Sequence, residues 1–528
     1  MTRWFTALAL AFGLATLAAC GDTAPPKGSV FVWGKSSDAS RLDPATVTDG
    51  ESVMVTTNIF DNLVAFGPGS AKLIPWLATE WSTSDDGLIW TFTLRAEVTF
   101  HDGSPFDAEA VVFSFERQKD PNHPAHVGDF AYYADNFKSL QTIEAIDTHT
   151  VRFTLSRPYQ PFLSALALFS AAIVSPAAWK SGGIDESTGR YRYDFSERPV
   201  GTGPFVFQKW EKDARIVLTA NPDHFAGKPA IERLVFKPIE KAQARLQELI
   251  AGSIHGMDNP DPADLERAES HGDLRVVRQP GINTGYLAMN TMKKPFDDVR
   301  VRQAVAYAID KARIIEAAYE GRAAPAVTMC PVGMPGHVDL EDRKPDLDRA
   351  RTLLAEAGHP DGFATKLSYG TAQRTYMPNP PNVAIQIQAD LARIGIEVEL
   401  EKVEWSAYIP ATKRGDHEMC LLGWMADILD PDNFLYVLLD KENARPGSAN
   451  NVSFYRDEQV HEWLMAAQRS GDEAERADLY AKVQRRVFEQ CPVVPIAQAP
   501  DVRILRRGIA GYRIYPVGGE YFREVRFE

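Results

Sequence analysis

Three carboxylates crowd into one short stretch of the chain. Asp427, Asp430 and Asp432 fall within GWMADILDPDNF, residues 423–434, directly behind the apolar run Cys420-Leu421-Leu422. Such a cluster suits metal chelation, acid–base catalysis, turn chemistry or capture of a cationic ligand. A second reactive group, the guanidinium of Arg374, stands in QRTYM. Arginine can take a carboxylate through two parallel N–H bonds, which lysine cannot match.

The elements around both groups decide where they sit. VAIQIQADLARIG stacks Val383, Ile387, Leu391 and Ile394 on one helical face, and Gly395 is the expected stop. IEVELEKV then alternates Ile396, Val398 and Leu400 against Glu397, Glu399 and Glu401. A period of 3.6 gives way to a period of 2 across one glycine. With ATKLSYG upstream this is a strand–helix–strand unit, which favours a parallel sheet with right-handed crossovers. Ligands bind such sheets at the carboxyl ends of the strands. Arg374 follows ATKLSYG and Asp427 follows MCLLGW, so both are expected there. A further helix is expected in FDDVRVRQAVAYAID, capped by Asp297, with Val301, Val305, Ala308 and Ile309 inward. The early region is different, with short strands and turns. In TSDDGLIWTFTLR, Leu88, Trp90, Phe92 and Leu94 alternate with Ile89, Thr91 and Thr93, and Asp107 opens the helix AEAVVFSFER.

Several chemistries are excluded by pattern. His417-Glu418 and His461-Glu462 lack the second histidine of a zinc helix, and there is no GxSxG, P-loop, CxxC or SxxK. GTGPF lacks the third glycine of a dinucleotide fingerprint. A calcium loop starting at Asp427 or Asp430 has no glycine in sixth place and ends at Leu438 or Lys441 instead of Glu. No catalytic arrangement, metal site or cofactor is expected, and a non-enzyme is the better reading.

At 528 residues the chain exceeds one ordinary domain, and a net charge of −14 argues against nucleic acid as partner. MTRWFTALALAFGLATLAAC has one basic residue, an apolar run too short to span a bilayer, and small residues before Cys20. That matches a lipobox, so residues 1–19 are expected to be a lipoprotein signal peptide. Cys20 would be lipidated and residues 20–28 would form a tether. The compartment is then the periplasm or cell surface. Cys330, Cys420 and Cys491 remain, an odd number, expected to be buried free thiols, the last two in strand-like runs.

Over nearly the whole chain after the tether, the sequence resembles the extracytoplasmic solute-binding proteins of oligopeptide, dipeptide and nickel ABC transporters. The resembling segments are LIPWLATEWSTSDDGLIWTFTLRAEVTFHDGSPFDAEAVVFSFER (73–117), VGTGPFVFQKWEKD (200–213) and NTGYLAMNTMKKPFDDVRVRQAVAYAIDK (283–311). QRTYMPNPPNVAIQIQADLARIGIEVELEKVEWSAYI and LLGWMADILDPDNF are most similar to the dipeptide binders. The resemblance implies an α/β, periplasmic-binding-protein-like class II fold with two lobes, a hinge and an extra N-terminal subdomain. Residues 29–60, 195–285 and 495–528 would make lobe I, 61–194 the subdomain, and 286–494 lobe II. It also implies a monomer that delivers dipeptides or short peptides to ABC permease subunits, with a lipid anchor in the membrane.

By motif match, Arg374 would hold the ligand carboxylate and Asp427 its ammonium, with Tyr376, Trp405 and Trp424 lining the pocket. The plainer alternatives are a turn cap for Asp427, a structural salt bridge for Arg374 and core packing for the tryptophans. Asp430-Pro431-Asp432-Asn433 is expected to form a turn and N-cap for FLYVLL. Two departures from the family pattern stand out: no cysteine follows DPDNF, and Ile428 and Leu429 would give a more apolar pocket rim. An extracytoplasmic hydrolase, or a binder of a nickel complex, haem or an opine, is the rival reading.

Overall fold

The computed structural model describes residues 30–67, 72–515, 517 and 519–528. Cys20 and the whole signal and tether region lie outside the described residues. The fold is mixed α/β, as expected, and is organised around three sheets.

The first sheet has seven strands in the order Phe205–Glu211, Arg215–Ala220, Arg233–Pro238, Val30–Lys35, Gly256–Met257, Pro500–Arg506 and Leu274–Pro280. Val30–Lys35 runs parallel to both its neighbours, and the outer pairings are antiparallel. The second has six strands, ordered Ala324–Pro325, Val493–Gln498, Asn283–Met289, Met419–Met425, Phe363–Gly370 and Ile396–Val403. The third is a four-stranded antiparallel sheet, Ala78–Thr83, Ile89–Leu94, Thr150–Leu155 and Leu140–Asp147.

The strand–helix–strand unit is present: Phe363–Gly370 pairs in parallel with Ile396–Val403, and Pro380–Ala392 is the crossover helix. Val383, Ile387, Leu391 and Ile394 are buried in one core with Val301, Val305 and Ala308 of the helix Val299–Ala308 and with Ile309, which ends it. The sheet is not parallel throughout, however. Asn283–Met289 joins antiparallel to Met419–Met425 on one side and to Val493–Gln498 on the other.

Local caps follow short polar side chains. Asp107 accepts from the N–H of Ala110, as expected, but the helix at 299 is capped by Asp298, not Asp297. The three cysteines are free and buried, yet Cys491 lies in no strand; it ends the helix Glu473–Gln490 in a left-handed conformation. Ile428 and Leu429 form no pocket rim, because they are buried in two different hydrophobic cores.

Two chain crossings join the large sheets. Leu274–Pro280 leads into Asn283–Met289, and Val493–Gln498 leads into Pro500–Arg506. Both inner strands run through points expected as boundaries, 285/286 and 494/495. The crossings are clamped side by side: the Asn283 amide donates to the Ala499 carbonyl at 2.8 Å and accepts from its N–H at 3.0 Å. The Gln498 amide donates to the Gly281 carbonyl at 2.7 Å.

A buried ion pair braces the core against the seven-stranded sheet. Arg117, on the helix Ala108–Lys119, donates two bonds of 2.8 and 2.7 Å to Asp43, and the rings of Phe130, Trp179 and Phe195 surround its guanidinium. Removing one partner strands a buried charge, which typically costs about 3–5 kcal/mol. Asp43→Ala should lower stability by that amount in urea denaturation. Asp43→Ala combined with Arg117→Met should recover part of the loss.

Candidate functional site

The sheet ends place Asp427 and its neighbours. The strand Met419–Met425 ends just before Asp427, and within the expected turn Asp430-Pro431-Asp432-Asn433 it is the Asp430 side chain that sets up the next helix. The Asp430 carboxylate accepts from the N–H of Asp432 at 3.0 Å, and the helix runs Asp432–Leu439 with Asp432 and Asn433 already in its first turn. Asp430 also takes two bonds, 3.0 and 2.8 Å, from one nitrogen of Arg476. Asp432 accepts from the amide of Gln468 at 2.9 and 3.1 Å and from the Tyr159 hydroxyl at 3.4 Å. Burial and the Asp430 charge push Asp432 up to about 7. Both are structural, and only Asp427 is left for other work.

Asp427 is partly buried and has no cationic partner among the described residues. Its carboxylate accepts from the Tyr132 hydroxyl at 3.3 Å and from the Asn433 amide at 3.5 Å. Burial raises its pKa to about 6, these two bonds oppose the rise, and the nearby Asp135 charge adds to it. The charges of Asp427, Asp135 and Asp49 all push the Tyr132 hydroxyl upward. Asp427 and Asp135 thus place two carboxylates at this end, with Lys138 and Lys413 acting on Asp135 alone. Asn433 fixes the loop itself, with its side-chain oxygen accepting from the Asp427 N–H at 3.0 Å and from the Trp424 indole at 3.1 Å.

Arg374 sits in a tight turn closed by its backbone bonds to Met377, 3.2 and 2.9 Å. Its exposed guanidinium lies over the Trp405 ring, 4.4 Å from the centroid, and among the described residues it meets no carboxylate. The structural salt bridge considered for it is absent from that region. Trp405 is half-buried and lies in no strand; it is the first residue of the helix Trp405–Arg414.

Tyr376 is held by a glycine pair. Gly285 and Gly423 face each other across neighbouring strands. A Cβ on Gly423 would overlap the Tyr376 ring, and one on Gly285 would overlap its carbonyl. That carbonyl accepts from the Tyr319 hydroxyl at 2.9 Å, and burial pushes the Tyr376 hydroxyl up to about 12. The bare backbone of GW therefore seats the QRTY turn on the same strand end that carries Asp427.

Sequence reasoning missed Tyr132 and misassigned Asn433. Tyr132 belongs to the helix Ala131–Asn136, 295 positions away from Asp427, and no local signal marks it. Asn433 stands six positions after Asp427 in a segment whose polar residues all suit caps and turns.

Residues 72–446 match the bacterial extracellular solute-binding proteins, family 5, middle. The dipeptide-binding protein of Escherichia coli (strain K12) is 34% identical over 529 residues, covering 97% of either chain. Heme-binding protein A of Haemophilus influenzae is 35% identical over 546 residues, covering 98% of either chain. A solved structure, the ABC transporter-associated periplasmic binding protein DppA from Helicobacter pylori in complex with peptide STSA, is 36% identical. It superposes with a TM-score of 0.81 over 95% of this chain and 98% of that one, so the α/β fold is that of the periplasmic binding proteins.

The raised pKa of Asp427 has a stability consequence. The folded chain holds this proton more tightly than the unfolded chain does, so stability falls as pH rises from about 4 to about 6 and then levels. At neutral pH the cost reaches up to about 3 kcal/mol. Asp427→Asn should therefore raise the ligand-free melting temperature at pH 7, with the gain shrinking towards pH 4. Calorimetric scans of both proteins at the two pH values check this.

Proposed function

The chain belongs to the bacterial extracellular solute-binding proteins of family 5, and from that premise we propose that it captures dipeptides or other short peptides and passes them to the permease of an ABC importer. One observation carries this reading: among the described residues Asp427 is a carboxylate with no cation and Arg374 a guanidinium with no carboxylate, on neighbouring segments of one sheet end. A zwitterionic dipeptide separates its charges by roughly 7 Å of extended chain. An acid at one end and an arginine at the other therefore read ligand length as well as charge.

In this reading Asp427 accepts the ligand ammonium, with Tyr132 beside it. Arg374 takes the carboxylate through two N–H bonds, steadied from below by the Trp405 ring. Tyr376 and Trp424 form walls, and backbone bonds hold the middle of the ligand while its side chains vary. The relative named for heme does not displace the peptide reading, because the carboxylates of a haem would leave Asp427 without a counter-charge. The protein binds its ligand and does not convert it.

We place lobe I in 30–60, 195–282 and 499–528, the subdomain in 61–194 and lobe II in 283–498, because the strands Asn283–Met289 and Val493–Gln498 belong whole to the six-stranded sheet, with the clamped crossings at 280–283 and 498–500 as the hinge. A monomer held outside the cytoplasm by lipid on Cys20 completes the proposal. One acyl chain anchors weakly, whereas two or three on the same cysteine anchor stably.

Titration calorimetry with free, N-acetylated and C-amidated dipeptides tests the anchors. Asp427→Asn should weaken the free peptide about thirtyfold or more, the loss typical of stranding a buried charge. Acetylation should weaken binding to the parent protein, and the amidated peptide should be less sensitive to Arg374→Ala. Affinity for the free peptide should hold above about pH 6 and fall towards tenfold per unit below it, because Asp427 must lose its proton first. Equal affinity for all three forms would reject both assignments.

The anchor has its own measurement. Mass spectrometry of the membrane-extracted protein should find an N-terminal peptide beginning at a diacylglyceryl-modified Cys20. An unmodified start elsewhere would refute it.

A further inference from the structure

Lobe II and the subdomain meet across contacts that neither the chain path nor the ligand anchors require. Ile428, next to Asp427, is buried in a hydrophobic cluster whose other buried members all lie between Leu63 and Ile173. Phe66 makes the reverse insertion and is buried with Tyr286, Leu435 and Tyr480 of lobe II. Single polar contacts run around these two side chains. The Gln160 N–H donates to the Gln468 carbonyl at 2.8 Å. The Tyr159 hydroxyl donates to Asp432 at 3.4 Å, Arg157 to the Met465 sulfur at 3.6 Å, and Lys138 to the Tyr436 hydroxyl at 3.4 Å.

No segment runs directly from 61–194 to lobe II, and the two units are linked only through lobe I and its crossings. Asp427 and Arg374 stand on lobe II while Tyr132 stands on the subdomain, so the site is complete only where these units touch. The contacts suit repeated making and breaking: one apolar side chain from each unit seated in the other, and hydrogen bonds whose groups water can serve when apart. We propose that they form a latch, with Ile428 and Phe66 as its knobs, by which the subdomain holds lobe II closed without help from the ligand. This rests on the hinge placed above and not on which ligand is bound.

The latch carries a titratable group. Asp432 has Tyr159 and Arg157 across from it and Asp430, Tyr436, Gln468, Arg476 and Tyr480 on its own side. Burial is the first cause of its rise to about 7, and the Asp430 charge is the second. Opening admits water to this face, so the open form holds the proton less tightly. Closing therefore takes up a proton; it is helped fully near the ordinary carboxylate value of about 4 and loses that help as pH rises through about 7. Asp427 titrates in the same direction but only up to about 6, which leaves the interval around pH 7 to Asp432.

Small-angle X-ray scattering of the ligand-free, full-length protein and calorimetric titration with Ala-Ala, both at pH 8, read the latch in the parent, Ile428→Ser and Asp432→Asn. Losing the burial of one isoleucine corresponds to roughly tenfold to a hundredfold in the closing equilibrium. Ile428→Ser should show it as a larger radius of gyration or, where the parent is already open, as weaker Ala-Ala binding. Asp432→Asn has no charge to bury and should do the reverse, with a smaller radius or with Ala-Ala tighter by about tenfold, the equivalent of one pH unit of linkage. In Ile428→Ser the ratio of affinities for free and N-acetylated Ala-Ala should match the parent's. A collapsed ratio would trace the loss to Asp427 and overturn the inference. Ile428→Ala, with a smaller shift in the same direction, serves if the serine variant is unstable. Equal radii and affinities in all of them, or an Asp432→Asn protein more open than the parent, would overturn the latch and leave the peptide function standing. A parent that binds no dipeptide would overturn the peptide reading, and the radii alone would then decide the latch.

Discussion

A charged carboxylate withdrawn from water without a counter-ion is the constraint around which this site is arranged. Folding alone does not neutralise Asp427; it surrounds the group with two weak donors, Tyr132 and Asn433, and adds the field of Asp135. Such an arrangement is unfavourable in itself, and it persists only because the surroundings hold it. Asn433 pins the loop to Trp424, the Gly285–Gly423 pair lets Tyr376 lie against the strand, and Trp405 carries Arg374 on its face. Binding affinity and ligand-free stability are thereby set against each other at one residue.

Elsewhere the protein buries charge in the opposite manner, with partners supplied. Arg117 meets Asp43, Arg476 meets Asp430, and Arg503 meets Glu520, which also accepts from the Tyr512 hydroxyl. The two neighbours of Asp427 in the acidic stretch follow this second rule. Asp430 is tied to an arginine and Asp432 to an amide and a phenol, so they fasten a helix to its surroundings. Within six residues, the same side chain serves as a structural tie twice and, among the described residues, stands without a cationic partner once.

This difference explains what could be read from the chain beforehand. The crossover helix, the strand Ile396–Val403 and the inward residues Trp90, Phe92 and Leu94 follow from periodicity, a local property. That Arg374 and Asp427 follow the ends of two neighbouring parallel strands was legible from the order of the elements. Tyr132 was not, because its contact with Asp427 spans 295 positions and depends on how two units of the chain pack. Local pattern also misled in places. Asp297 is as good a cap by composition as Asp298, and only the backbone path decides between them. Trp405 looked like a strand residue until its helix was seen, and Ile428 and Leu429, read as a pocket rim, fill cores on either side of the loop.

The last crossing has a consequence for how the molecule is assembled. Val493–Gln498 lies between Ala324–Pro325 and Asn283–Met289 in one sheet, and Pro500–Arg506 lies between Gly256–Met257 and Leu274–Pro280 in the other. Until those C-terminal residues are available, Leu274–Pro280 has no strand to pair with in its sheet, and the six-stranded sheet ends at Asn283–Met289. Neither large sheet can close on a chain still being made, and the contacts that finish both are among the most distant in sequence. A polypeptide built this way can complete its four-stranded sheet early, but it leaves both large sheets unfinished until almost all of it has emerged.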